Sequence, residues 1–247
     1  MKAMIFAAGL GTRLKPLTDT MPKAMVPILG KPLLEHTILR LKEAGVDFII
    51  INVHHFADQI IDFVHANHSF GLQITFSDER DCLLETGGGI KKAAPFFDDG
   101  QPFIVHNVDI LSNLDIRAMY NAHCQSDVAA TLFVSDRLTS RYLLFDNDNM
   151  LKAWWNKNTG ETKPITEQIN PDDYHALAFN GIHVISPAVF SLMQDWNGTF
   201  SIIDFYLSIV RQAGIQSFSY DGCRVMDVGK VDTLAEAEIF LGSVNGL

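Results

Sequence analysis

The first half of the chain alternates strand-like and helix-like segments at short, regular intervals, and this alternation limits the fold more than any other feature of the sequence. Residues 2–8 form a short apolar run that stops at Gly9. Residues 33–44 carry Leu34, Ile38 and Leu41 on one helical stripe, with Gly45 as the stop. Phe48–Val53 (FIIINV) is an unbroken apolar, largely β-branched run, the pattern of a strand covered on both faces. A helix over Ala57–Ala66, a strand over 72–76, a helix from near Gly88 to before Pro95 and a strand over 103–106 complete the series. Strand–helix–strand succession demands crossover connections, and therefore a mostly parallel sheet.

The second half is less regular. Residues 127–134 read as a strand, and 143–155 as a hairpin turning at Asp146-Asn147-Asp148-Asn149. A strand over 179–185 stops at Ser186-Pro187, a helix covers 202–212, and a short strand over 225–228 precedes a last helix running through Leu241. The expectation is α/β: a Rossmann-like mixed, mainly parallel sheet flanked by helices, with a smaller antiparallel part. One domain over residues 1–247 is expected, with halves meeting near residue 110 (about 1–110 and 111–247).

Composition excludes several classes. No run of 18 apolar residues occurs, so no membrane span is expected, and the N-terminal apolar run is too short for a signal peptide. A net charge of −10 repels polyanions, so nucleic acid is not an expected partner. Cys82, Cys124 and Cys223 form no CxxC pair, which fits a reducing, cytoplasmic setting and gives no structural zinc site. The nine histidines have no HxxxH or HExxH spacing.

The strongest local signal is Ala7-Ala8-Gly9-Leu10-Gly11-Thr12-Arg13-Leu14, followed by Lys15-Pro16-Leu17-Thr18, directly after the first strand. Glycines let the backbone approach a phosphate, and successive N–H groups can point at an anion. The loop lacks the GK[ST] of a Walker A motif. Leu14 stands where a dinucleotide fingerprint needs its third glycine, and no Tyr-xxx-Lys pair occurs, which opposes an NAD oxidoreductase. Arg13 brings a rigid fork of donors. Lys23 brings a second cation on a segment stiffened by Pro22 and Pro27.

At these residues the chain resembles the sugar-1-phosphate nucleotidyltransferases. Ala8 to Leu14, Pro16-Leu17-Thr18 and Pro22-Lys23 match their N-terminal signature. Gly30-Lys31-Pro32-Leu33, Asn107 to Asp109 and Asp227-Val228-Gly229 match further along. The resemblance implies a nucleotide-binding first half, a sugar-binding second half and dependence on Mg2+. It implies that Gly9 and Gly11 wrap the nucleotide phosphates, with Ala8, Thr12 and Asn107 also binding the nucleotide. Arg13 and Lys23 would be the catalytic cations, on the leaving pyrophosphate and the α-phosphate. Asp109 and Asp227 would hold the metal, whose preference is for oxygen ligands. Val108 stands where the family often has glycine, which implies a narrower space beside the metal.

Leu84-Glu85-Thr86-Gly87-Gly88-Gly89 is similar to the N-acetylmuramate-1-phosphate uridylyltransferases, whereas guanylyl-transferring relatives tend to have Leu-Gly-Thr-Ala-Gly. UTP is therefore the favoured nucleotide, with Glu85 and the backbone of Gly88 at the base edge. N-acetylmuramate 1-phosphate is the favoured acceptor, with Asn180 and Gly181 as candidate sugar contacts. A mannose- or heptose-1-phosphate guanylyltransferase is the alternative, and a nucleotide-sugar-binding regulatory module without chemistry a further one. A monomer or small homo-oligomer is expected.

Overall fold

The computed structural model describes residues 1–164 and 169–244. The strands are β1 (Lys2–Phe6), β2 (Pro27–Ile28), β3 (Lys31–Pro32), β4 (Phe48–Val53), β5 (Gln73–Asp78), β6 (Phe103–Asn107), β7 (Ile110–Ser112), β8 (Ala130–Ser135), β9 (Arg141–Phe145), β10 (Leu151–Asn156), β11 (Thr162–Lys163), β12 (His175–Ile185), β13 (Ile215–Phe218) and β14 (Val225–Asp227). The α-helices are α1 (Leu33–Glu43), α2 (Ala57–Ala66), α3 (Glu85–Lys92), α4 (Ile116–Cys124), α5 (Val189–Leu192), α6 (Ile202–Ile209) and α7 (Thr233–Val244). None is long and apolar enough to cross a membrane among the described residues.

Two compact units result. The first comprises residues 1–84, 103–117 and 222–247, the second 85–102 and 118–221. The division is thus interleaved along the chain. The reason is β14, which pairs antiparallel with β7 and so returns the C-terminal segment to the first unit.

In the first unit β6, β1, β4 and β5 lie side by side, all parallel. Ile49, Ile50, Ile51 and Val53 of β4 are fully buried, as FIIINV requires. Full burial of such side chains is worth up to about 1.5–3 kcal/mol each. The stripe on α1 buries Leu34, Ile38 and Leu41 as expected, joined by Leu33 and Thr37. Gly45 ends α1 with φ +91°. Its N–H donates to the Lys42 carbonyl and that of Val46 to the Leu41 carbonyl, at 2.9 and 3.0 Å, which completes a Schellman cap.

In the second unit β9 pairs antiparallel with β10 and β12, β10 with β11, and β12 with β8; β13 adds to β8 in parallel. The hairpin turns where expected: the Asp146 carboxylate accepts the N–H groups of Asp148 and Met150 at 3.0 and 2.9 Å, and Asn149 has φ +61°. Two features depart from expectation. The helix expected from near Gly88 begins at Glu85, so Gly87, Gly88 and Gly89 all lie inside α3, and the Phe200 ring takes the place of a side chain at Gly87, where a Cβ would sit 2.3 Å from it. The strand β13 carries too little periodicity in IQSF to announce itself.

Candidate active site

The glycine loop leaves β1 at its carboxyl end, and a buried amide fixes its start. The N–H groups of Ala7 and Ala8 both donate to Asn52 Oδ1, at 2.7 and 3.2 Å. Asn52 lies on β4 in register with Phe6 and is 1% exposed. Its Nδ2 donates to Glu79 Oε1 at 2.9 Å, and Glu79 Oε2 accepts the N–H of Leu84 at 3.1 Å. Glu79 is also 1% exposed. One chain of hydrogen bonds therefore runs from the loop through two buried side chains to the residue before α3. Nothing local flags either in the sequence: Asn52 is a single polar residue in the run FIIINV, and Glu79 is one of five successive polar residues, Ser77 to Asp81. Their importance lies in satisfying buried groups that are expensive to leave unpaired.

The two loop glycines are present for different reasons. Gly11 has φ +62°, and a Cβ there would approach Thr18 Cγ2 to 2.9 Å and Lys23 Cβ to 3.0 Å. Its carbonyl accepts the Leu14 N–H at 2.8 Å and the Thr18 hydroxyl at 2.9 Å. Gly9 is exposed and has nothing within 4 Å of the place a Cβ would take. The fold demands a glycine at 11 and is indifferent at 9.

Beyond Gly11, the single turn Thr12–Leu14 buries Leu14 and leaves Thr12 and Arg13 exposed. Lys23 opens the turn Lys23–Met25 after the extended Pro22, and its ammonium forms an ion pair with the Asp109 carboxylate. The two side chains are 11% and 19% exposed, so the pair is sheltered from full solvent screening. Asp109 follows Asn107, the last residue of β6, and Val108. Val108 is buried, and its N–H donates to the Phe6 carbonyl at 3.2 Å; the valine turns into the core.

Asp227 reaches this region through the β7–β14 ribbon. It lies opposite Ile110, and the N–H of the next residue, Val228, donates to the Asp109 carbonyl at 2.8 Å. The two aspartates thus hold adjoining positions on paired segments. Gly229 lies between Asp227 and Arg13: a Cβ there would be 2.7 Å from Asp227 Oδ1 and 2.8 Å from Arg13 Nη2. Two cations and two carboxylates are gathered at the carboxyl ends of β1 and β6.

Two carboxylates are hard oxygen donors, the kind a magnesium ion prefers. Among the described residues no three His, Cys, Asp or Glu side chains converge as a metal cage. Magnesium is usually held by one or two carboxylates together with water and substrate phosphates. His106 is buried on β6 with its Nδ1 2.8 Å from the Asn107 carbonyl, and burial depresses its pKa to about 4, so it is neutral at pH 7.

The other candidate residues lie in the second unit. Glu85 is exposed and starts α3 at φ +57°, an unusual conformation for a side chain of its kind. Gly88 is buried and its N–H donates to the Phe200 carbonyl at 3.3 Å, so that group is not available to a base edge. Asn180 is 1% exposed, and its amide is engaged with the Ser135 hydroxyl and Arg137 Nε, so it holds other side chains and does not itself present to a sugar. Gly181 is buried at φ +69°, where the register of β12 on β8 shifts. It serves a β-bulge.

The family model described as Nucleotidyl transferase matches residues 2–243. An N-acetylmuramate alpha-1-phosphate uridylyltransferase from Neisseria meningitidis serogroup B is 31% identical, over 98% of this chain and 99% of that one. A UTP–glucose-1-phosphate uridylyltransferase from Synechocystis is 35% identical over 76% of this chain, which spans 50% of that longer protein. The solved structure of the inositol-1-phosphate CTP transferase from T. maritima shares the fold, with a TM-score of 0.77 at 16% identity over 99% of this chain and 96% of that one. With the family model spanning nearly the whole sequence, the chain belongs to the nucleotidyl transferase family, among the sugar-1-phosphate nucleotidyltransferases.

Proposed function

We propose that this protein transfers a uridylyl group from UTP to N-acetylmuramate 1-phosphate and releases pyrophosphate. The observation that carries the reading is the gathering of Arg13, Lys23, Asp109 and Asp227 at one end of the first unit. The Leu84-Glu85-Thr86-Gly87 motif supports UTP. The name of the Neisseria relative, matched from end to end, supports the acceptor.

In this reaction a phosphate oxygen of the sugar 1-phosphate bonds to the α-phosphorus as the bond to the β-phosphate breaks. Pyrophosphate leaves with the electron pair. The nucleophile is already an anion, so no general base is required. The barrier lies in bringing two polyanions together in line, and fixed cations lower it. Lys23, set by Pro22 and steadied by Asp109, meets charge at the α-phosphorus. Arg13 meets charge on the departing pyrophosphate. Asp109 and Asp227 would hold Mg2+, which when bound neutralises phosphate oxygens. Gly9 leaves open space through which phosphate can reach the loop backbone.

The test is pyrophosphate release with Mg2+ from each of the four ribonucleoside triphosphates, against glucose, mannose, N-acetylglucosamine and N-acetylmuramate 1-phosphates. UTP with N-acetylmuramate 1-phosphate is expected to give the highest kcat/KM. Preference for GTP with mannose 1-phosphate would replace the substrate assignment. Absence of pyrophosphate from all pairs would remove transfer itself.

A further inference from the structure

The second unit holds a cavity of about 580 Å3 whose chemistry is set by strand alternation. On the β9–β10–β11 ribbon Trp154 lies opposite both Leu143 and Lys163, and Asn156 lies opposite Arg141. Side chains two apart share a face. Arg141, Trp154 and Lys163 therefore line the cavity together, while Tyr142 and Trp155 pair on the reverse face at 5.8 Å.

The cations differ in how they are held. Lys163 Nζ pairs with Asp204 Oδ1 at 3.0 Å and stands 5.3 Å from the Trp154 ring centre, so its charge is answered. Arg137 is aimed: its Nε donates to Asn180 Oδ1 at 2.9 Å and its Nη2 to the Phe179 carbonyl at 3.1 Å, both neutral acceptors. Asn180 is fixed in turn by the Ser135 hydroxyl. Among the described residues of the lining, Arg137 and Arg141 thus face one remaining carboxylate, Glu161, and their balance is positive in a chain of net charge −10.

We infer that this cavity reads a carboxylate on the acceptor sugar, with Arg137 and Arg141 as specificity-determining cations and Trp154 as the platform under the ring. This rests on the proposed transfer reaction and adds to it the residues that choose the acceptor. A guanidinium matches a planar carboxylate with two parallel donors. An uncharged hexose offers only hydroxyls and an amide, and leaves an excess of positive charge in a partly desolvated pocket unanswered. The buried Asn180 acts as a positioning residue for Arg137.

The experiment compares N-acetylglucosamine 1-phosphate with N-acetylmuramate 1-phosphate, which differs by one group, a lactyl ether that carries a carboxylate in place of a hydroxyl hydrogen. Pyrophosphate release is measured at limiting acceptor with each of the four triphosphates. The wild-type protein should favour the carboxylated sugar at least about tenfold in kcat/KM. Arg141→Gln, at an exposed position, and Arg137→Gln should each shrink that ratio about fivefold. Equal kcat/KM for both sugars, or equal proportional losses in the variants, would overturn the inference and leave nucleotidyl transfer intact. Equal losses are the result if these cations grip the 1-phosphate common to both acceptors. No pyrophosphate from any combination would remove the transfer reading, and this inference with it.

Discussion

The two units place their chemistry by opposite means. In the first, the parallel strands β1 and β4 are buried along most of their length, so polar function is pushed to their carboxyl ends and the loops beyond. In the second, the antiparallel ribbon β9–β10–β11 presents one face to a cavity, and the residues that line it stand at every second position. One unit gathers charge from separate segments at its strand ends; the other spreads it over a strand face. Substitutions should therefore act on phosphate chemistry in the first and on acceptor choice in the second.

The largest effect is expected at the ion pair. Lys23→Ala and Asp109→Ala should each lower pyrophosphate release by a factor of about 10²–10³, on the order of 3–4 kcal/mol, with the circular dichroism spectrum retained. Turnover within tenfold of wild type would break the contrast between the units. Asn52→Ala comes next. It leaves the Ala7 and Ala8 N–H groups and Glu79 Oε1 without their partner, which should cost about 2–3 kcal/mol in urea unfolding. It should also raise KM for the triphosphate more than KM for the sugar, since the loop loses its anchor.

Acid should weaken both units. Burial depresses the pKa of His106 in the first to about 4 and that of His183 in the second to about 3. His183 is further held by its ring nitrogen against the Tyr206 hydroxyl at 2.8 Å. Both are neutral when folded and titrate near 6.5 when unfolded, so the unfolded chain binds more protons. Stability is full above about pH 6.5 and falls as pH drops toward 4, by about 1 kcal/mol per histidine at pH 5.5. A melting temperature that stays level from pH 7.5 to 5 would contradict this. The smallest change in stability is expected at Gly9. Gly9→Ala should leave the melting temperature unaltered yet weaken triphosphate binding, whereas Gly11→Ala, strained at φ +62°, should lower it by several degrees. Equal melting shifts at the two glycines would remove the distinction between them.

This contrast also explains what the sequence revealed. The loop from Ala8 to Arg13 is contiguous, so it reads directly as a phosphate-binding segment. Leu34, Ile38 and Leu41 with Gly45 read directly as a capped helix. Asp227 joined the site through resemblance alone, since only the β7–β14 pairing brings it beside Asp109. Asn52 and Glu79 escaped because a satisfied polar residue at a strand end has no pattern of its own. Arg137 and Arg141 escaped because their partners are set by cross-strand register. Asn180, which looked like a sugar contact, is instead the support behind Arg137. The start of α3 at Glu85 was hidden because the ring that Gly87 accommodates, Phe200, lies far along the chain.

The central claim is that Asp109 and Asp227 jointly hold the ion that lets Lys23 and Arg13 act on one phosphorus. Its most direct test is the Mg2+ dependence of pyrophosphate release in the wild type and in Asp227→Asn. The account predicts no turnover without a divalent ion, and a half-saturating Mg2+ concentration at least about tenfold higher in the variant. Identical Mg2+ curves for the two proteins, or full turnover in excess chelator, would contradict it.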